Sequence, residues 1–284
     1  MLARSIKTVG PVALVLFAQA CAAGPPRNDA SPPVVTIITT DYGYEAPETV
    51  QAGLTAFHVV NHGEQPHTAT VVRLEAGRTL AEYIEAYGEA NRTRGARPDW
   101  ATFLGGSAAF RQHDEGKVTI ELEPGNYAWV CFVPAPDGVA HLLKHRQAQA
   151  FVVQPRSEEA TAPGPIEPTV SLQMFDYTYQ ISAPIRSGKH MIRVENKGVE
   201  PHHVLLFKLG PRKSAADFQS WMRNEMQGDA PATFVGAMAE LSKGTGASFE
   251  AELSTGEYAL VCLVAGRDEV PHFEKGMIHY VRVE

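Results

Sequence analysis

Apolar and polar residues alternate with a period of two along most of this chain. Runs over 34–38, 55–61, 67–74, 118–122, 127–133 and 151–153 are alternating or β-branched, and turn residues such as Asn61 and Pro124-Gly125 separate them. Each therefore reads as a strand. The pattern returns over 170–174, 190–196, 204–209 and 280–283. The period changes once in each half. Leu80, Tyr83, Ile84 and Tyr87 fall on one helical face, and Thr79 with Glu82 makes a capping box ahead of them. Ser214 precedes Phe218, Trp221 and Met222 in the same way. Seven or eight strands with one helical insert predict an all-β chain with an antiparallel sandwich in each half. The helix would cover an open edge of its sandwich.

The two halves are copies. Asn61-His62-Gly63-Glu64-Gln65-Pro66-His67 recurs as Asn196-Lys197-Gly198-Val199-Glu200-Pro201-His202. Asp41-Tyr42-Gly43-Tyr44 recurs as Asp176-Tyr177-Thr178-Tyr179 at the same offset. Later, Gly125-Asn126-Tyr127-Ala128-Trp129-Val130-Cys131 recurs as Gly256-Glu257-Tyr258-Ala259-Leu260-Val261-Cys262, and the offset is four residues shorter. Ala101-Thr102-Phe103 and Ala232-Thr233-Phe234 already obey the shorter offset, so the first copy has an extra piece in the segment 88–98, read as a loop. Ordered matches at near-constant offset mean a tandem duplication.

The start of the chain is set apart from the repeat. Arg4 and Lys7 precede an uncharged, mostly apolar run that is too short to span a bilayer as a helix. Ala18-Gln19-Ala20-Cys21 has the shape of a cleavage site and of a loose lipobox. The expectation is an exported protein with a signal peptide over 1–20 and a lipid on Cys21, placing it in the periplasm or cell envelope; plain secretion is the alternative. Pro-, Ala- and Gly-rich sequence makes 21–33 a tether and 156–168 a linker. The first domain is then 34–155 and the second 169–284.

Composition narrows the function. The chain has 284 residues, 44% hydrophobic and 20% charged, an ordinary globular mix. A net charge of −7 without a basic stripe argues against a nucleic-acid partner. Three cysteines are too few for a disulfide scaffold, and a bond between Cys131 and Cys262 is not expected. The second copy combines His202 with Cys262, then His272 after nine residues and Met277 after four more. A thiolate, two imidazoles and a thioether form the soft donor set that suits a copper ion moving between two oxidation states. Each residue alone has an ordinary reading: a turn histidine, a buried thiol, a core methionine. The four together, in this order, favour a metal. His203, after His202, reads as a support or surface residue.

In that quartet the chain resembles the cupredoxins, the blue (type 1) copper family, and the likeness extends over both copies. Pro201 and Pro271, before the two histidines of the quartet, are similar to plastocyanin-like members. The long Cys262-to-His272 loop is closer to that of copper nitrite reductases. The resemblance implies tandem Greek-key β-sandwich domains, a copper cofactor and one-electron transfer with a redox partner protein in the cell envelope. It implies one copper on His202, Cys262, His272 and Met277. A second would sit on His67, Cys131 and His141, where the count from His141 puts Arg146 at the axial place. A guanidinium is no ligand for a cation, so that site either binds through three donors or is degenerate. Two-domain copper enzymes that resemble this chain carry a His beside the ligand Cys. Here Val130 and Phe132, and Val261 and Leu263, stand there. The expectation is therefore no enzyme activity. A periplasmic copper-sequestering module and a metal-free interaction sandwich are the competing readings. The membrane enters only through the N-terminal lipid.

Overall fold

The computed structural model describes residues 31–109, 111–157, 163–266 and 268–284. The signal peptide, Cys21, most of the tether and the middle of the linker lie outside the described residues. The first copy supplies β1 (Val34–Thr40), β2 (Gly43–Glu45), β3 (Thr49–Gln51), β4 (Gly53–Asn61), β5 (His67–Leu74), α1 (Leu80–Thr93), β6 (Ala101–Ala109), β7 (Glu115–Leu122), β8 (Gly125–Val130), α2 (His141–Lys144) and β9 (Ala148–Gln154). The second supplies β10 (Val170–Phe175), β11 (Thr178–Ile181), β12 (Gly188–Asn196), β13 (His202–Leu209), α3 (Ala215–Arg223), β14 (Ala232–Leu241), β15 (Gly246–Leu253), β16 (Gly256–Val261) and β17 (Ile278–Val283).

These strands form two sheets that both run through both copies. One has the order β11-β10-β12-β15-β7-β4-β1-β2, the other β17-β16-β13-β14-β6-β5-β8-β9-β3. The copies join edge to edge, through β15 on β7 (Phe249 opposite Val118) and β14 on β6 (Leu241 opposite Leu104). The strand edges most exposed to wrong pairing thus cover each other. The core between the sheets is continuous across the join, with Val118, Leu241, Ala247 and Phe249 in one buried cluster. The sheets are mixed, not purely antiparallel as the alternation suggested. β1 runs parallel to β4, β10 to β12 and β3 to β9.

The helices differ from expectation in place. Both capping boxes form: Thr79 Oγ1 accepts from Glu82 N at 3.2 Å, and Ser214 Oγ from Asp217 N at 3.2 Å. However, α1 lies on the outer face of the second sheet, not over an edge. Tyr83, Ile84 and Tyr87 bury against Val72, Leu74, Phe103, Ala128 and Val130, which point away from Val71, Tyr127 and Trp129 in the inter-sheet core. In the same way α3 covers Leu205, Phe207, Ala259 and Val261 with Phe218 and Met222. Burying each large side chain stabilises by about 1.5–3 kcal/mol. The segment 88–98 is helical as far as Thr93, so the extra piece of the first copy lengthens α1 before it returns to β6.

Strands β6 and β14 are hidden in the sequence because small residues dominate them. A Cβ on Gly106, at φ 145°, would overlap the backbone carbonyl of Ala69. There β5 and β6 shift register between Thr70 and Val72. A Cβ on Gly105 would meet Met238 Sδ of the other copy at 2.6 Å. These glycines mark a bulge and a close approach, as glycine inside a strand often does. Gly106→Ala is expected to destabilise the fold by roughly 2–4 kcal/mol, since its clash is with backbone and its φ is strained. Urea unfolding of the two proteins measures this.

Candidate metal centres

In each copy the sheet brings the donors together. β5 pairs with β8, and Thr70 faces Val130. His67 at the start of β5 therefore lies beside Cys131, the residue after β8. The N–H of Thr68 donates to Cys131 Sγ at 3.4 Å. His141 opens α2 and closes the group. In the second copy β13 pairs with β16, and the N–H of His203 donates to Cys262 Sγ at 3.5 Å. All six residues are fully buried. In each set the donor atoms lie within 4.8 Å of one another. Cys131 Sγ is 3.9 Å from His67 Nδ1 and 3.6 Å from His141 Nδ1. Cys262 Sγ is 3.6 Å from His272 Nδ1. Both cysteines are free, in separate sites.

The repeated sequence motifs account for the aim of the histidines. Asn61 holds its turn by accepting from Gly63 N and donating to the carbonyl of Gln65. Asn196 repeats both bonds with Gly198 and Glu200. The turn lets a carboxylate approach: Asp41 lies 3.1 Å from His67 Nε2 and Asp176 lies 2.9 Å from His202 Nε2. Burial pushes both carboxyls up, but bonds from the histidine and from backbone N–H groups outweigh it and hold them below the usual carboxylate range. An ionised carboxylate only accepts, so each Nε2 carries the proton and each Nδ1 offers a lone pair inward. A Cβ on Gly198 would sit 2.5 Å from Asp176 Oδ1 and 2.9 Å from His202 Nε2, so only glycine leaves room for this pair. The following tyrosine of the Asp-Tyr repeat caps the site. Tyr42 meets His141 edge-on at 5.5 Å and Tyr177 meets His272 at 5.3 Å.

The result is a set of buried donor atoms that face one another. His202 Nδ1 and His272 Nδ1 lie 3.0 Å apart. Glu200 Oε2 lies 2.8 Å from His272 Nε2, close enough for its charge to act on the ring but not aligned as a hydrogen bond. Two inward lone pairs at that separation require a proton or a metal cation. Bonds of about 2.0–2.3 Å from nitrogen and sulfur to a first-row metal fit the spread of these atoms. The donor set fits copper, with soft sulfur and two imidazoles. Burial pushes the Cys131 thiol up, and it pushes the Cys262 thiol up to about 12. Burial and the neighbouring histidine lower both His141 and His272.

The fourth donor of the first copy is a correction. Arg146 does not take the axial place: it is exposed, in a left-handed turn at φ 54°, the position that Gly276 fills at φ 105° in the second copy. Gln147 is the counterpart of Met277. Cys131 N donates to Gln147 O, as Cys262 N does to Met277 O, and the N–H of each bonds back to His141 O or His272 O. One extra residue after His141 defeats the count from the histidine. Gln147 and Met277 are both fully buried. The Gln147 Nε2 group donates to the carbonyls of Thr40 and Gly43, which fixes the amide and turns Oε1 to within 3.0 Å of His67 Nδ1. An amide oxygen is an accepted axial donor in such sites. Signals for the supporting residues lay in the repeats: Asp41 and Asp176 recur at the same offset as the histidines they orient. His203 is half-buried and supports the site. Its Nε2 accepts from Leu263 N at 2.7 Å, in the role that Thr68 Oγ1 plays for Phe132 N. Burial, with His272 and His202 nearby, lowers its pKa to about 3.

No protein-family model and no curated protein matches this chain. Among solved structures it is similar to a dithionite-reduced auracyanin from Roseiflexus castenholzii, at 19% identity over 44% of this chain and 99% of that one, with a TM-score of 0.31. Auracyanin A, a blue copper protein from Chloroflexus aurantiacus, matches at 18% identity over 44% of this chain and all of its own, with a TM-score of 0.31. A multicopper oxidase matches at 11% identity over 88% of each chain, with a TM-score of 0.23. That last likeness corrects the expectation that the chain is no enzyme. A copper enzyme is among the structures it resembles along most of its length, and the exclusion is withdrawn. The likeness itself assigns no reaction.

Metal uptake at neutral pH is expected to release about one proton per site, from the raised cysteine thiol. Protons compete for the sulfur below its pKa, so apparent affinity should rise about tenfold per pH unit between roughly pH 7 and 9. Calorimetric titration in buffers of different protonation enthalpy counts the protons. A count near zero would mean that the cysteines are already thiolates in the metal-free protein.

Proposed function

We propose that this tandem cupredoxin-like, copper-binding protein is an exported one-electron carrier. The observation that supports it most is the buried pair of Nδ1 atoms 3.0 Å apart beside Cys262. Copper supplies a couple between Cu(I) and Cu(II) when bound there. The chain's own part is to hold the donors still and dry. Asp176 orients His202, Glu200 lies beside His272, the N–H of His203 bonds to the sulfur, and Met277 would add a thioether to a bound copper. Rigid, buried donors need little rearrangement when the charge of the site changes by one. Gln147 gives the first copy a fourth donor as well, which supports two coppers per chain. The capping rings of Tyr42 and Tyr177 are the sides from which a redox partner protein of the cell envelope would approach.

Reconstitution with Cu(II) tests the reading. An intense band near 600 nm, with a reversible couple, is the expected result. Cys262→Ser should remove the second site's share of that band, because the absorption is a thiolate-to-metal charge transfer. Cys131→Ser should remove the rest, and elemental analysis should give two coppers in the parent and one in each variant. Tight Cu(I) binding with no band would favour a copper-sequestering module instead.

Export and anchoring are proposed from the leader sequence, with Cys21 as the lipid-bearing residue and the periplasm or envelope as the location. Among the described residues no helix is long and apolar enough to cross a membrane. Cys21→Ser is expected to move the protein from the membrane fraction to the soluble fraction, since a multiply acylated terminus anchors firmly. Unchanged fractionation would leave secretion without a lipid.

A further inference from the structure

The extra piece of the first copy ends on the second copy's site. Arg94 caps α1 and reaches Glu269, in the loop between Cys262 and His272, at 2.6 Å. Arg97, three residues on, ion-pairs with Glu240 of β14. On its other side the Arg97 guanidinium lies over Tyr87 and Phe103, each at 5.5 Å, and over Phe132 at 6.0 Å. Phe132 follows Cys131. Leu241, which follows Glu240, is the strand partner of His202. The pair therefore links the residue after one ligand cysteine to the strand beside the other site's histidine.

Stability does not account for a carboxylate in this place. Glu240 is 6% exposed, and burying an ion pair seldom stabilises more than apolar side chains would. The duplication supplies the comparison. Ala109 pairs with His67 as Leu241 pairs with His202, and a register shift in β14 makes Ala239 and Glu240 together take the place of Ala108. Ala108 is buried among Leu205, Ala237 and Val261. The apolar solution is thus present in the same molecule, and only the second site has the charges. Glu240 adjoins Leu241, the strand partner of His202, and so sets its charge beside that site.

We propose that Arg97 and Glu240 form an interdomain electrostatic couple that sets the redox balance of the His202–Cys262–His272 site, with Arg97 as a positioning residue lent by the first domain. This rests on the copper reading above. The sign is fixed by Coulomb's law. A lone Glu240 favours the more highly charged Cu(II), and a lone Arg97 favours Cu(I). The pair nearly cancels.

The test is a redox titration of the charge-transfer band in a Cys131→Ser background, where only the second site reports. Arg97→Gln should raise the ratio of Cu(II) to Cu(I) at a fixed potential by about three- to tenfold, and Glu240→Gln should lower it by a similar factor. The double variant should return close to the parent, and Arg97→Lys should stay near it. Glu240→Gln keeps its side-chain shape, so it tests the sign even if Arg97→Gln fails to fold. Shifts of the same sign in both single variants, or no shift from Glu240→Gln, overturn the proposal while leaving the copper reading intact. A parent that binds no copper at Cys262 overturns both.

Discussion

Two buried imidazoles with their lone pairs turned toward each other are the constraint on which the rest of this structure depends. Left alone, His202 Nδ1 and His272 Nδ1 at 3.0 Å would repel. Asp176 takes the outer N–H of His202, so that ring cannot turn its proton inward without losing a partner, and Glu200 sets a negative charge beside His272. That requirement reaches back into the chain. The carboxylate needs a turn that brings Asp176 against the ring. The turn needs Asn196 to hold it and Gly198 to leave space. The same chain of necessities runs through Asn61, Gly63, Asp41 and His67, which is why whole motifs, and not single histidines, survive in both copies.

The join between the copies follows from a second necessity. A sandwich with unpaired strand edges invites wrong pairing. Here both sheets pair across the two halves, and glycines at 105 and 106 let the strands come close enough. Fusion at the edges puts the two sites on the same pair of sheets. A charge carried on α1 of the first half can then act on the second half's site without a mobile linker between them.

How much of this was legible in sequence depends on which residues carried the signal. Alternation located β1, β4 and β12, whose side chains face a core on one side, and apolar runs located β5 and β13, which are buried on both faces. It missed β6 and β14, whose Gly and Ala residues are too small and too weakly apolar to stand out, though the alanines are buried. The repeat made the duplication and both sets of His and Cys visible, since the chemistry needs those residue types at fixed places. Counting failed at the axial donor. A left-handed residue, Arg146, occupies the place of Gly276, and one inserted residue moves the inward position to Gln147. Local hydrogen bonding of the backbone, not spacing, decides which side chain points in. Outer-face packing of α1 was equally invisible, because an amphipathic helix shows that it has a partner but not which surface that is.

The two sites share three donors and then diverge in two respects that oppose each other. The first has the harder amide oxygen of Gln147 and a single carboxylate, Asp41, on its histidines; the place of Glu200 is taken by Gln65, which bonds to Tyr42. The second has the softer thioether of Met277 but carboxylates beside both histidines, and Glu240 close by. A soft axial sulfur favours the reduced metal, whereas carboxylates behind the imidazoles raise their basicity and favour the oxidised one. Without a counter-charge the three acidic groups around the second site would act against its thioether. Arg97 is the cation paired with Glu240, and it comes from the stretch before β6 that is four residues longer in the first copy than in the second. The length difference between the copies, which looks like a loop indel in the sequence, therefore carries the charge that balances the more acidic of the two sites.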